Sequence, residues 1–265
     1  MIAIVPAAGY ATRLGELTKE KPKHLLEVGE VPIINHVIRG IETLPITDVF
    51  LVTNDNFYSQ FTNWKRSFDT GLDINILNDG TQSNEERLGT VGDIWHVVRE
   101  CGINDDVLII AGDNLYYEKR IGYNLKPLFD AFEELGRNAG VAGLYNVESL
   151  AIAKQMNQLT FADERTPSVG EKLQITKIVE KDPNPTSTLI AVMIEVYPQV
   201  VVECLKDYIQ TTENHDKMGD FRSWLIRENK MPVYGYYLPG QWFDIGFREE
   251  LERARRFYER IEKYQ

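Results

Sequence analysis

The chain has 265 residues, 43% hydrophobic and 26% charged, with a formal net charge of −11 at pH 7. That length supports a sizeable core, and the composition is that of an ordinary globular protein. The acidic balance argues against a general binder of nucleic acid or anionic membrane, which would carry a basic stripe, and no apolar run approaches the ~20 residues of a membrane span.

Taken in chain order, Met1–Val5 reads as the start of a first strand and carries no targeting segment. Ile2–Pro6 is short, aliphatic and ended by turn residues, which predicts a buried strand. Pro32 suits the first position of a helix whose apolar face is Ile34, Val37, Ile38 and Ile41. Strands follow at Asp48–Thr53 and Ile74–Leu77. Val91, Ile94, Trp95 and Val98 repeat the helical spacing, and Asp106–Ala111 is the next strand. Such β-α-β alternation predicts an α/β fold with a doubly wound, mainly parallel mixed sheet flanked by helices. Ligands bind such sheets beyond the carboxyl ends of the strands. Farther on, 163–171 reads as an exposed hairpin or loop, and 172–181 and 187–197 as strands that continue the sheet. Helices are expected at Pro198–Ile209 and Gly219–Glu228. A last helix carries Leu251, Ala254, Tyr258 and Ile261 on one face, and its Arg- and Glu-rich remainder reads as solvated. Cys101 and Cys204, the only cysteines, suggest neither a disulfide framework nor a zinc site, so a reducing cytoplasm is expected.

Four stretches carry side chains suited to chemistry. After the first strand comes AAGYATRLGELTKEKPK, where small residues precede Arg13, Lys19, Lys21 and Lys23. Small residues at a strand end let backbone N–H groups approach a phosphate, and a local cationic cluster in an acidic chain can hold an anion. One glycine with no immediate helix does not fit the dinucleotide pattern G-x-G-x-x-G, and the P-loop pattern is absent. In IIAGDNLYY, Asp113 follows an aliphatic strand, where a carboxylate is suited to hold Mg2+ or to cap a turn. In GQWFDIGF, Asp244 is flanked by Trp242 and Phe243 and is either a site carboxylate or the cap of the last helix. In IVEKDPNP, Glu180 and Lys181 close a strand, and alone they would pass as a surface ion pair.

In this order, and with RLGTVGDI between them, the stretches resemble the sugar-1-phosphate nucleotidylyltransferases, or nucleoside-diphosphate-sugar pyrophosphorylases. The resemblance covers nearly the whole chain and is nearest to the glucose-1-phosphate thymidylyl- and uridylyltransferases. AAGYATRLGELTKEKPKHLLEVGEVPIINHVI is similar to that family's signature, G-x-G-T-R-L…P-K-x-L…P-I-I. The resemblance implies a single Rossmann-like nucleotidyltransferase domain over 1–265 with a small sugar-binding lobe. Its nucleotide-binding half would span about 1–115, its sugar-phosphate-binding half about 116–245 and its C-terminal helix about 246–265. No left-handed β-helix domain is expected. The implied reaction is Mg2+-dependent in-line transfer of a nucleotidyl group from dTTP or UTP to glucose 1-phosphate or a relative, releasing pyrophosphate.

By the same resemblance, Ala8 and Gly9 lie against the nucleotide, Arg13 holds the pyrophosphate, and Lys23 contacts phosphate near the reaction centre. Asp113, also on the nucleotide, and Asp244 would hold Mg2+. Gly89 and Gln82 would face the base, Glu180 would accept sugar hydroxyls, and Lys181 would bind the sugar phosphate. The implied partners are a nucleoside triphosphate and a sugar 1-phosphate, with no nucleic acid or membrane, and homo-oligomers are common in the family. His24, His36, His96 and His215 read as structural or surface residues.

Several positions depart from the family's pattern. Ala11 stands for the second glycine, Met156–Asn157 for a Tyr-Gly pair, and Met193–Ile194–Glu195 for Gly-Ile-Tyr, which bears on the sugar that fits. Gln82 departs in its spacing from Gly89. Three other readings are weighed against this resemblance. A CTP-dependent cytidylyltransferase acting on a phosphorylated alcohol such as phosphocholine would not need Glu180 and Lys181. A non-catalytic binding protein would not need Arg13, Lys23, Asp113 and Asp244 together. A nucleotide-sugar-dependent glycosyltransferase would favour an Asp-x-Asp metal motif over GDN.

Overall fold

The computed structural model describes residues 1–119 and 121–262. The elements begin with β1 (Ile2–Pro6), β2 (Glu27–Val28), β3 (Val31–Pro32), α1 (Ile33–Ile41), β4 (Asp48–Thr53), α2 (Tyr58–Ser67) and β5 (Asp73–Asn78). Next come α3 (Thr90–Cys101), β6 (Val107–Ile110), β7 (Asn114–Tyr117), α4 (Lys126–Glu134), β8 (Gly140–Asn146), α5 (Leu150–Ala153) and β9 (Asn157–Phe161). The last are β10 (Lys172–Glu180), β11 (Leu189–Tyr197), α6 (Val201–Thr211), α7 (Met218–Arg227), β12 (Val233–Tyr237), β13 (Gln241–Asp244) and α8 (Arg248–Glu262). No described helix is long and apolar enough to cross a membrane.

The chain forms two compact units, neither a continuous run of sequence. The first holds Ala3–Arg87, Ile110–Leu125 and the chain from Gly240 on, and the second holds Met1–Ile2, Leu88–Ile109 and Lys126–Pro239. This partition differs from the sequence-derived halves: 88–109 belong with 126–239, and the C-terminal segment belongs with 3–87.

In the first unit the strands run β5-β4-β1, and both pairings are parallel. β1 is buried throughout, as its run of aliphatic residues demands of a strand covered on both faces. α1 buries Ile33, Ile34, Val37, Ile38 and Ile41, each worth about 1.5–3 kcal/mol when removed from water. Pro32 sits just before the helix, in an extended conformation. β2 and β3 make a two-stranded hairpin. α2 has a largely polar sequence and is held by buried Phe61 and Trp64. β7 and β13 pair antiparallel, with Asn114 opposite Asp244 and Leu115 opposite Phe243. α8 lays Leu251, Ala254 and Tyr258 on a cluster that includes Leu14, Leu26, Leu115, Phe243 and Ile245.

In the second unit the strand order is β6-β11-β8-β12-β10-β9. β8 is parallel to β12 and antiparallel to β11, while β10 is antiparallel to both β12 and β9. The sheet is therefore mixed, with its antiparallel ladders concentrated here. α3 buries Val91, Ile94, Val97 and Val98, whereas Trp95, which the spacing places on the apolar face, is half-buried. β11 is buried along its length except at Met193.

Candidate active site

β1 delivers the chain to the small-residue loop. Ala7 and Ala8 are buried and Gly9 is exposed. Asn54, at the end of β4, donates from Nδ2 to the Ala8 carbonyl at 2.7 Å and so fixes the loop's course. Among the described residues the N–H groups of Ala8 and Gly9 have no partner, which leaves them available to an anion. Ala11 adopts the left-handed conformation, φ 47°, where a glycine would be unstrained. Its carbonyl accepts from the Leu14 N–H at 3.0 Å and from Thr18 Oγ1 at 3.0 Å, and these bonds hold the strained residue in place. Residues 12–18 then form short, tight 3₁₀ turns kinked at Gly15. An open cavity of about 640 Å3 beside this loop is lined by Tyr10, Thr12, Lys19, Asn56, Gln60 and Asn84 among others, and by none of Arg13, Lys23, Asp113 or Asp244.

The β7–β13 ribbon sets the two aspartates. Asp113 immediately precedes β7, Asp244 ends β13 opposite Asn114, and the Ile245 N–H donates to the Asp113 carbonyl at 3.3 Å. Trp242 locks the ribbon by donating from Nε1 to Asn114 Oδ1 at 2.6 Å. Lys23 donates from its ammonium to the Asp113 carboxylate. Burial alone would push Lys23 down, but the charges of Asp113 and then Asp244 outweigh it and hold the ammonium above its ordinary pKa. Burial would likewise raise Asp113, and the positive charge of Lys23 instead holds it below the usual carboxylate range. Asp244 bonds no cation among the described residues: burial first, and then the negative Asp113, push it to about 6 against the weaker pull of Lys23. His24 is buried beside Lys23, and burial with that neighbouring charge drives it down to about 3, so it is neutral.

Arg13 completes the group. Its guanidinium rests 5.0 Å from the centroid of the Phe247 ring, a cation–π contact, and among the described residues it pairs with no carboxylate. Its N–H donors are therefore free for an anion. Burial and the negative Asp113 raise Asp244, and the positive charges of Lys23 and Arg13 oppose that rise. This hard-oxygen pair fits Mg2+, which takes one or two carboxylates and completes its shell with water and phosphate oxygens. Among the described residues no three His, Cys, Asp or Glu side chains cluster as a metal site, so the pair would rely on such outside ligands.

The remaining predicted residues belong elsewhere. Gln82 is exposed, with its amide on Asp55 at 3.1 Å and its N–H on Glu86 at 2.8 Å. Gly89, in the second unit, caps α3 with φ 82°, and a Cβ there would lie 2.6 Å from the His215 carbonyl oxygen. The Thr90 and Val91 N–H groups donate to Asp216 and His215 carbonyls, so the start of α3 is already satisfied by protein. Glu180 ends β10, half-buried, and Lys181 follows, exposed and left-handed at φ 50°. Glu180 is raised by burial, which Arg222 opposes.

Sequence reasoning missed the residues behind Glu180. Arg222 on α7 is buried and lies 3.1 Å from the fully buried Glu195, and Tyr197 donates its hydroxyl to the same Glu195 carboxylate. The Met193–Ile194–Glu195 departure was the available signal, because a glutamate inside an aliphatic strand demands a buried partner. Asn157, at the other departure, bonds both ways to the Ala191 backbone, at 3.0 and 2.8 Å, and ties β9 to β11.

Fold and cluster together are those of an α/β protein with a cationic and acidic site suited to polyphosphate. The Nucleotidyl transferase family model matches residues 2–261, and the chain belongs to that family. It is 26% identical over 257 residues to a Sulfolobus acidocaldarius protein named for mannose-1-phosphate guanyltransferase activity, covering 95% of this chain and 61% of that protein's length. It is 24% identical over 263 residues to a UTP–glucose-1-phosphate uridylyltransferase of Bacillus subtilis, covering 92% of this chain and 84% of that one. In fold it is similar to a UDP-glucose pyrophosphorylase of Acinetobacter baumannii, with a TM-score of 0.78 at 21% identity over 97% of this chain and 93% of that one.

Proposed function

We propose that this chain is a sugar-1-phosphate nucleotidylyltransferase that uses dTTP or UTP with glucose 1-phosphate or a relative. The observation that carries the reading is the β7–β13 ribbon, which sets Asp113 beside Asp244 with Lys23 on Asp113. Relatives named for the same chemistry support it.

A phosphate oxygen of the sugar 1-phosphate attacks the α-phosphorus of the triphosphate, the bond from that phosphorus to the β-phosphate oxygen breaks, and pyrophosphate leaves. The attacking oxygen is already ionised, so no residue need act as a strong base. Positioning and charge compensation do the rest. The free N–H groups of Ala8 and Gly9 and the guanidinium of Arg13 would hold the triphosphate and stabilise the departing charge. Lys23 would move its ammonium from Asp113 toward phosphate. Mg2+ held by Asp113 and Asp244 would supply the charge that offsets repulsion between the two anionic substrates. Glu180 would accept sugar hydroxyls and Lys181 would hold the sugar phosphate.

The test is pyrophosphate release from each nucleoside triphosphate against a panel of sugar 1-phosphates, with and without Mg2+. Release with dTTP or UTP and a hexose 1-phosphate is expected. Release only from CTP with phosphocholine would replace the reading with the cytidylyltransferase, and silence on both panels would leave a binding protein.

A further inference from the structure

We infer that Gly219 is a positioning residue for Glu180: the side chain it lacks leaves the seat that the Glu180 carboxylate fills. The inference rests on the reading of Glu180 as the acceptor of sugar hydroxyls, and it names what sets that acceptor in place.

A glutamate at the end of a strand has three rotatable bonds beyond its backbone, so β10 alone does not place the carboxylate. The first turn of α7 does. A Cβ built on Gly219 would lie 1.5 Å from Glu180 Oε1 and 2.3 Å from its Cδ, so the carboxylate occupies that very space. The Gly219 backbone is not in the left-handed region. The helix therefore does not require glycine there, and glycine inside a helix is unfavourable relative to alanine. The carboxylate is the remaining reason for it.

The surroundings fit an acceptor held by shape and field. Arg222 lies three residues on, on the same face of α7, and is the strongest charge opposing the upward push of burial on Glu180. Arg222 is itself fixed by Glu195, which Tyr197 holds from the other side. Among the described residues no donor is bonded to the Glu180 carboxylate. Its lone pairs are left for the neutral hydroxyls of a bound sugar.

The experiment is a double-mutant cycle in the full chain with E180A, G219A and E180A/G219A, read in KM for the sugar phosphate, KM for the triphosphate, and Tm. Loss of a hydrogen bond to a charged group predicts that E180A raises the sugar-phosphate KM roughly 10–100-fold. G219A should raise the same KM about 5–30-fold, leave the triphosphate KM within about twofold, and have no further effect in the E180A background. G219A should lower Tm while the Glu180 carboxylate fills the seat and should not lower it once E180A has emptied it, because alanine is the better helix former. A G219A enzyme with unchanged sugar-phosphate KM, or with the same loss in the E180A background, overturns the inference. Loss of the fold in G219A but not in the double variant supports it, and loss in both overturns it. An unchanged KM in E180A overturns the reading of Glu180 instead. If the wild type is silent toward every sugar phosphate, that reading falls, and the Tm cycle alone decides whether Gly219 seats the carboxylate.

Discussion

In the first unit Lys23 lies against Asp113, with Asp244 near enough to raise its pKa; in the second Arg222 lies against Glu195, with Glu180 near enough to feel it. Each group has two carboxylates and one cation, yet the two differ in what surrounds them. Arg222 and Glu195 are almost wholly buried, Tyr197 adds a hydroxyl, and apolar residues of β11 enclose the pair. Lys23 and Asp244 are only half-buried beside buried Asp113 at the β7–β13 ribbon, and the guanidinium of Arg13 is near enough to act on both. A similar charge count thus serves as an internal brace in one place and, on the function proposed above, as a docking point for ions in the other. A lysine suits the second task, since its ammonium can swing from carboxylate to phosphate. The planar, permanently charged arginine suits the first.

The comparison can be broken from either side. The largest effect is expected from R222M, which leaves Glu195 charged and enclosed: urea unfolding should show a loss of about 3–5 kcal/mol, largely recovered in E195Q/R222M. In the first unit the cost should fall on turnover. D113N should lower the rate of pyrophosphate release about 10²–10³-fold with little change in the unfolding midpoint, and an equal loss of stability would erase the contrast between the groups.

A smaller effect separates the two aspartates. The folded pKa of Asp244, about 6, lies above its unfolded value near 4, so the group favours the folded state at low pH and withdraws that stability as pH rises through 6. Without divalent cation, D244N should therefore be about 1–3 kcal/mol more stable than wild type at pH 8 and no different at pH 4, read by thermal melts across that range. Added Mg2+ should shrink the difference at pH 8. The smallest change is A11G, which relieves the left-handed φ of Ala11 and should stabilise the chain by about 1 kcal/mol. A loss on that substitution would mean that the alanine side chain is packed.

Much of the first unit could be read directly because its signals are local. β1 and β4 begin and end at the predicted residues, since their aliphatic runs are bounded by turn residues on both sides. Lys23, Asp113 and Asp244 each stand in a short stretch that the sequence singles out, although Asp113 and Asp244 taken alone could equally have been caps. What could not be read was the ribbon joining β7 to β13, because pairing between distant segments leaves no mark in either one. α2 was missed for a different reason: its helix is mostly polar, and only Phe61 and Trp64 face inward. In the second unit the mixed pairing and the Arg222–Glu195 brace depend on which strands become neighbours, so a buried glutamate looked like a mere departure from pattern. Gly219 lies on a plain helical stretch, and its meaning emerges only when β10 ends against it.

The β7–β13 ribbon also sets an order on the assembly of this cluster. The loop, Lys23 and Asp113 leave the ribosome early, but their counterpart is supplied near the far end of the chain. A product cut short before Gln241 would carry the loop and Lys23 with Asp113 but without Asp244. Asp113 and Asp244 therefore come together only after β13 has been made.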